Sequence, residues 1–226
     1  MSKPAHPAPS TSTSTSSRRA LWPAGIGLLV TTALAFAAAY WTRDAALFSL
    51  QPPGGGAADF AATQRHDLHR TFFTIWAALL LAAPALAYFV SRHRSPRHYQ
   101  LWRAFWTASL LVFAVHFYWA VVVMFGNDWS RILSTPRVSA PRLDTVFAVW
   151  WCIDVLLAWT LQREPWPVRV QRWLVHILAF ILFFMGAARE GELVLSRVLG
   201  WGFAAVVGVA VAGEIWRRWG DRKAGS

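Results

Sequence analysis

Two ionisable side chains in the middle of apolar segments are the strongest indication of chemistry in this sequence. His116 lies in the apolar run 104–126, and Asp154 lies in the apolar run 145–162. An ionisable group near the centre of a lipid-spanning helix is costly, so it is normally turned inward and paired, or it serves a function. Because imidazole and a desolvated carboxylic acid exchange a proton near neutral pH, the two residues form a candidate proton relay.

We predict that these two side chains meet. The run 104–126 is centred near residues 113–115 and the run 145–162 near Ile153, so at 1.5 Å per residue the two groups fall within about 5 Å of the same depth. Consecutive antiparallel spans pack together, and an imidazolium next to a carboxylate avoids an isolated buried charge. The simplest interpretation of the pair is structural, as a hydrogen bond that fixes helix register.

His176, in the run 168–188, is the candidate third member of this polar group. Together, His116 and His176 are also the candidate axial ligands of a haem b, which needs two histidines across one plane. Arg172 and Arg169 lie one and two turns before His176, where they could meet haem propionates. The two histidines differ in predicted depth, which argues against haem. We therefore expect no cofactor, with haem b as the alternative.

The remaining polar motifs predict little chemistry. His66 and His69 are three residues apart and Asp59 lies seven residues before His66, so a helix could present all three to a metal ion. No further ligand spacing accompanies them, and we predict neither a metal site nor a catalytic residue. Cys152, the single cysteine, has no partner for a disulfide and is predicted to be a buried packing residue.

The elements that must position these groups are apolar segments. Of the 226 residues, 56% are hydrophobic and 15% are charged, a composition typical of a bilayer protein. We predict an all-α bundle of six transmembrane helices within residues 20–216, and an apolar run of about 20 residues suffices for each crossing. The predicted spans are 21–41, 71–90, 104–126, 145–162, 168–188 and 194–216.

Charge distribution predicts the topology of the bundle. Of the 22 Lys and Arg residues, 14 lie in the segments that share a side with the termini and 8 lie on the opposite side. Basic residues concentrate in the cytoplasm, so both termini are predicted there, in a bacterial-type inner membrane. Residues 1–19 are predicted to be a disordered cytoplasmic tail and residues 217–226 a basic one. The net charge of +11 is explained by this pattern, and no nucleic-acid partner is expected.

Three functional hypotheses from different classes fit this composition. Hydroxyl and charged side chains inside the spans are few, which is a thin lining for a hydrophilic pathway. The first hypothesis is therefore a non-enzymatic membrane subunit or accessory protein that packs against other membrane-protein subunits or holds a lipid, quinone or pigment. The second is a proton-coupled small-molecule transporter that uses His116 and Asp154. The third is a b-type haem electron carrier.

Overall fold

The fold is described by a computed structural model that covers residues 22–31, 33, 34, 37, 57–134, 141–189 and 194–224, with backbone alone at residues 57–70. Regular structure in these residues is entirely helical. The predicted fold class, an all-α membrane bundle, is confirmed. The predicted terminal tails fall largely outside the described residues, and their predicted disorder stays a prediction.

Seven α-helices and two π-helical stretches make up the described structure. Five of the helical segments are long and apolar enough to cross a membrane: Thr71–Ser91, Pro96–Met124, Pro141–Thr160, Trp166–Arg189 and Val194–Lys223. Within the first predicted span, the described apolar helix is the shorter Trp22–Thr31. The elements are α1 (Trp22–Thr31), α2 (Ala57–Ser91), α3 (Pro96–Tyr118), a first π-helical stretch (Trp119–Met124), α4 (Trp129–Ser134), α5 (Pro141–Thr160), α6 (Trp166–Phe184), a second π-helical stretch (Met185–Arg189) and α7 (Val194–Ala224).

Helix α3 begins eight residues before the predicted start of its span. Ser95 caps the helix by accepting a hydrogen bond from the His98 amide at 3.3 Å, and Pro96 occupies the first turn, where its missing N–H is not needed. The α-helix continues as the first π-helical stretch, and the chain then turns at Gly126 and Asn127. Both turn residues adopt left-handed conformations, with φ of 62° and 61°.

The two ends of the bundle differ in chemistry. The end that carries the α2–α3 turn (residues 92–95) and the α5–α6 turn (residues 161–165) is here called the basic end. There, Arg94 binds Glu214 of α7 at 2.6 Å, and Glu214 also pairs with Arg217 and Arg218. The opposite end, where α2 enters the predicted bilayer and α5 begins, is here called the cavity end.

Helix α2 is the centre of the bundle and α7 lies at its margin. In the most apolar 18-residue window of each helix, 61% of α2 but only 17% of α7 is buried within the protein. The core between α2, α3, α5 and α6 is unusually aromatic, because tryptophan and phenylalanine fill most of the space between these helices. Its large members are Phe89, Trp102, Trp106, Phe113, Phe147, Trp151 and Phe183, and Phe203 joins them from α7.

Cys152 does not contribute to this core. The prediction that it is a buried packing residue is wrong, since its side chain is exposed on the outer face of α5. Helix α5 turns Trp151, Asp154 and Val155 inward, and one residue advances the helix by 100°, which carries Cys152 away from the core. The exposed thiol therefore lies where lipid surrounds the bundle.

Candidate functional site

Asp154 lies in a hydrogen-bond network towards the basic end of the bundle. The residue is fully buried. Its Oδ1 accepts from Gln171 Nε2 at 2.7 Å and from Arg172 Nε at 3.0 Å, while Oδ2 accepts from Trp106 Nε1 at 3.0 Å. A buried carboxylate is tolerated only with such partners, and here a cation and two neutral donors supply them.

Arg172 links Asp154 to the α5–α6 turn. Its Nη1 pairs with Glu164, a residue of that turn, and its guanidinium carbon lies 4.8 Å from the centre of the Trp102 ring. The result is a buried chain of acid, base and acid that leads from Asp154 towards the basic end. Because the cation is shared by two carboxylates, removing it would leave both acids without their charge partner.

His176 packs against this chain with both ring nitrogens occupied. Nδ1 donates to the Arg172 carbonyl at 2.7 Å, and Nε2 accepts from Trp102 Nε1 at 2.8 Å. A nitrogen facing a carbonyl must carry the proton, and a nitrogen facing an indole N–H must not, so the imidazole is neutral with its proton on Nδ1. Its faces stack on Phe89 and Trp106, with centroids 3.8 and 4.1 Å away.

Arg92, in the α2–α3 turn, is a second buried cation at the basic end. Its guanidinium carbon lies 4.0 Å from the Phe89 ring centre, and Nη1 donates to the Phe89 carbonyl at 2.9 Å. Desolvation lowers the pKa of Arg92 to about 10, with Glu164 opposing this effect and Arg172 adding to it. At neutral pH the side chain therefore remains a cation, although it forms no ion pair with a described residue.

A cavity of about 330 Å³ opens at the cavity end. Its walls come from residues 71–79 of α2, the end of α3 with the first π-helical stretch, α4, the start of α5, the end of α6 with the second π-helical stretch, and the start of α7. Most lining side chains are aromatic or aliphatic. The polar ones are Thr71, His116, Asp144, Thr145 and Ser196.

His116 is held against one wall of this cavity. Its Nδ1 lies 3.0 Å from the Thr71 carbonyl oxygen and 3.3 Å from Thr74 Oγ1, both on α2. The ring also packs against Phe113, with centroids 5.7 Å apart. Among the described residues none forms a hydrogen bond with Nε2, and His116 is one of the residues that line the cavity.

The predicted pair does not form in this structure, because His116 and Asp154 take different partners. The predicted centres of the two spans were misplaced, because the helices begin and end at residues that apolar composition alone does not identify. With α3 starting at Pro96, His116 lies about 9 Å from the middle of its span towards the cavity end. Asp154 lies about 5 Å from the middle of α5 in the opposite direction, so about 14 Å of depth separates the two residues. A proton relay through both stays a prediction.

The haem alternative does not fit the two histidines. His176 has no nitrogen free for iron, and its stacked faces leave no room for a porphyrin beside it. His116 is the single histidine among the residues that line the cavity. In the part of the chain whose side chains are described, no three His, Cys, Asp or Glu residues group together as metal ligands. The side chains of His66, His69 and Asp59 lie outside that part.

The partners of Asp154 are what sequence reasoning missed. From the sequence, Arg172 was expected near propionates in the haem alternative, and its pairing with Asp154 was not predicted, although this residue lies in a predicted span beside one that contains an acid. An acid and a base in neighbouring spans were a readable signal, because each charge is tolerable chiefly when it meets the other. The role of tryptophan was also missed, since Trp102, Trp106 and Trp150 all donate indole hydrogen bonds to buried polar groups.

Comparison of the chain with known protein families, characterised proteins and solved structures found no match. The functional conclusion therefore rests on the geometry of two sites. In the network around Asp154, Arg172 and His176, both Asp154 oxygens and both His176 ring nitrogens have hydrogen-bond partners, whereas Arg172 Nη2 and Glu164 Oε2 are buried without one among the described residues. The cavity around His116 is preformed, apolar and open to a ligand.

Proposed function

We propose that this protein is a non-enzymatic integral membrane protein that holds an apolar ligand in the cavity beside His116. The observation that carries the proposal is the cavity itself, with about 330 Å³ of space inside an otherwise well-packed aromatic bundle. Small-molecule sites begin at about this volume and are typically apolar with a few placed polar groups. One imidazole and a few hydroxyl groups among aromatic walls match that description.

The size of the space supports an occupant rather than a packing defect. Protein interiors contain few gaps larger than a water molecule, and this space opens to the surface of the bundle, where a ligand can enter. The aromatic side chains elsewhere in this core fill the space between the helices. An apolar molecule of the bilayer would restore the missing contacts at the cavity end.

The backbone around the cavity supports the same conclusion. Both π-helical stretches, Trp119–Met124 and Met185–Arg189, contribute residues to the cavity wall. A π-helical turn is rare, is less favourable than an α-helical one, and occurs frequently at functional sites. In this bundle the two stretches widen α3 and α6 on either side of the same space, which is what a ligand site requires.

Native mass spectrometry of the full chain after gentle extraction tests the proposal. We expect the protein to carry a small apolar molecule, and we expect Ala120→Phe, which fills the cavity from the first π-helical stretch, to lose it. Ala114→Phe is the matched control, because Ala114 lies on the same helix but on its exposed face and outside the cavity. Equal ligand content in the two variants would overturn the proposal, as would a bare mass for the unaltered protein.

A further inference from the structure

The partners of His116 Nδ1 determine which ring nitrogen carries the proton. Nδ1 lies 3.0 Å from the carbonyl oxygen of Thr71, and a carbonyl can only accept. Thr74 Oγ1, the other neighbour of Nδ1, lies 3.3 Å from it and donates to the Thr71 carbonyl at 3.1 Å. The proton of a neutral imidazole must therefore reside on Nδ1, and Nε2 is left with a lone pair.

No described side chain donates a hydrogen bond to this lone pair. Two hydroxyl groups of the cavity wall have other partners: Thr145 Oγ1 donates to the Pro141 carbonyl at 2.8 Å, and Ser196 Oγ accepts from Trp76 Nε1 at 2.7 Å. The lone pair of His116 Nε2 therefore lies on a cavity-lining residue without a donor among the described residues.

From this geometry, and resting on the proposed function, we infer that the ligand ends in a hydroxyl group that donates a hydrogen bond to His116 Nε2. The class is an apolar alcohol, phenol or hydroquinone. A quinone, an ester or an ether of the same shape would place an oxygen lone pair against the lone pair of Nε2. The site should therefore separate molecules that have the same apolar body but differ in one O–H group.

A pair of probes that differ only in this group tests the inference. We would measure binding of 4-decylphenol and of its methyl ether, 4-decylanisole, to the full chain in lipid nanodiscs, with empty nanodiscs to correct for partitioning. The expected result is about tenfold tighter binding of the phenol, because one hydrogen bond that only the phenol can make contributes of the order of 1.4 kcal/mol. In His116→Phe the two probes should bind equally, whereas Val115→Ala, on the exposed face, should retain the preference.

The outcomes separate this inference from the proposed function. Equal binding of both probes to the unaltered protein would overturn the hydroxyl preference and leave a general apolar site. Binding of neither probe above the empty nanodisc would count against the proposed function as well. If His116→Phe failed to fold, the ratio of the two affinities in the unaltered protein would still decide, since an ether that binds as well as the phenol excludes the inferred contact.

Discussion

The two histidines of the described bundle interior occupy opposite kinds of site. His176 uses both ring nitrogens and both ring faces, between Trp102, the Arg172 carbonyl, Phe89 and Trp106. His116 uses one nitrogen, against the Thr71 carbonyl, and presents the other to a cavity. The difference teaches that burial of an ionisable group does not by itself indicate function. What matters is whether its hydrogen-bonding capacity is already satisfied.

The surroundings of the two histidines differ in the same way. Around His176 and Asp154, indole, guanidinium and amide groups donate to both Asp154 oxygens and to His176 Nε2, and aromatic rings pack around them. Around His116, two π-helical stretches interrupt close packing and leave a void. The packing at the basic end therefore favours a rigid structure, whereas the space at the cavity end can hold a ligand.

Removal of the shared cation should have the largest effect and would break the network around Asp154. Arg172→Met leaves Asp154 buried without its charge partner, and we expect a loss of about 3–5 kcal/mol in unfolding free energy. Thermal unfolding in detergent, followed by circular dichroism, measures the effect. The double variant Arg172→Met/Asp154→Leu also removes the Asp154 charge and should recover part of the loss, because Glu164 still lacks its cation. A double variant no more stable than the single one would refute the ion-pair explanation.

A substitution at the cavity end tests the contact between α7 and the second π-helical stretch. Gly200 of α7 approaches the second π-helical stretch so closely that an added Cβ would lie 2.6 Å from the Ala188 backbone nitrogen. Gly200→Ala must push the helices apart, and we expect a cost of about 1–3 kcal/mol relative to Gly208→Ala. A Cβ added at Gly208 would meet no atom of another described segment within 4 Å, so Gly208→Ala gains the same helix propensity without the clash.

The same pair of glycine variants should also separate in ligand content. Because Ala187, next to the clash, lines the cavity, Gly200→Ala should lower ligand retention in native mass spectrometry. Gly208→Ala should retain the ligand fully. Identical unfolding temperatures and identical ligand content for the two variants would show that the contact between α7 and the cavity wall has no effect on the cavity.

Replacing each histidine by phenylalanine compares the two sites directly. The expected changes in unfolding free energy include the smallest of this set. His176→Phe keeps the stacking but leaves the buried Trp102 N–H without its acceptor, at a cost of about 1–3 kcal/mol. His116→Phe loses one anchoring hydrogen bond at the edge of a cavity, at a cost of about 1 kcal/mol. His176→Phe should lower the unfolding temperature more than His116→Phe does, and His116→Phe should lower the ligand content more than His176→Phe does. The opposite ranking would contradict the roles assigned to the two histidines.

Much of the fold could be predicted from the sequence because apolar runs are long. The predicted spans 71–90 and 194–216 fall within the apolar helical segments Thr71–Ser91 and Val194–Lys223. The third span was predicted less well, because α3 extends into a polar segment where Ser95 and Pro96 start the helix. That capping signal was present in the sequence, but composition alone defined the predicted boundary. Because the predicted start of this span was wrong, the predicted depth of His116 in the membrane was wrong as well.

The sequence by itself determined that this chain forms apolar helices and that several ionisable groups would be removed from water. Only the tertiary structure decided that Asp154 meets Arg172, Gln171 and Trp106, and that His116 faces a cavity. The physical reason is geometric. Each residue turns a helix by 100° and advances it by 1.5 Å, so the partner of a buried group depends on small rotations and offsets between helices. Apolar composition constrains neither of them.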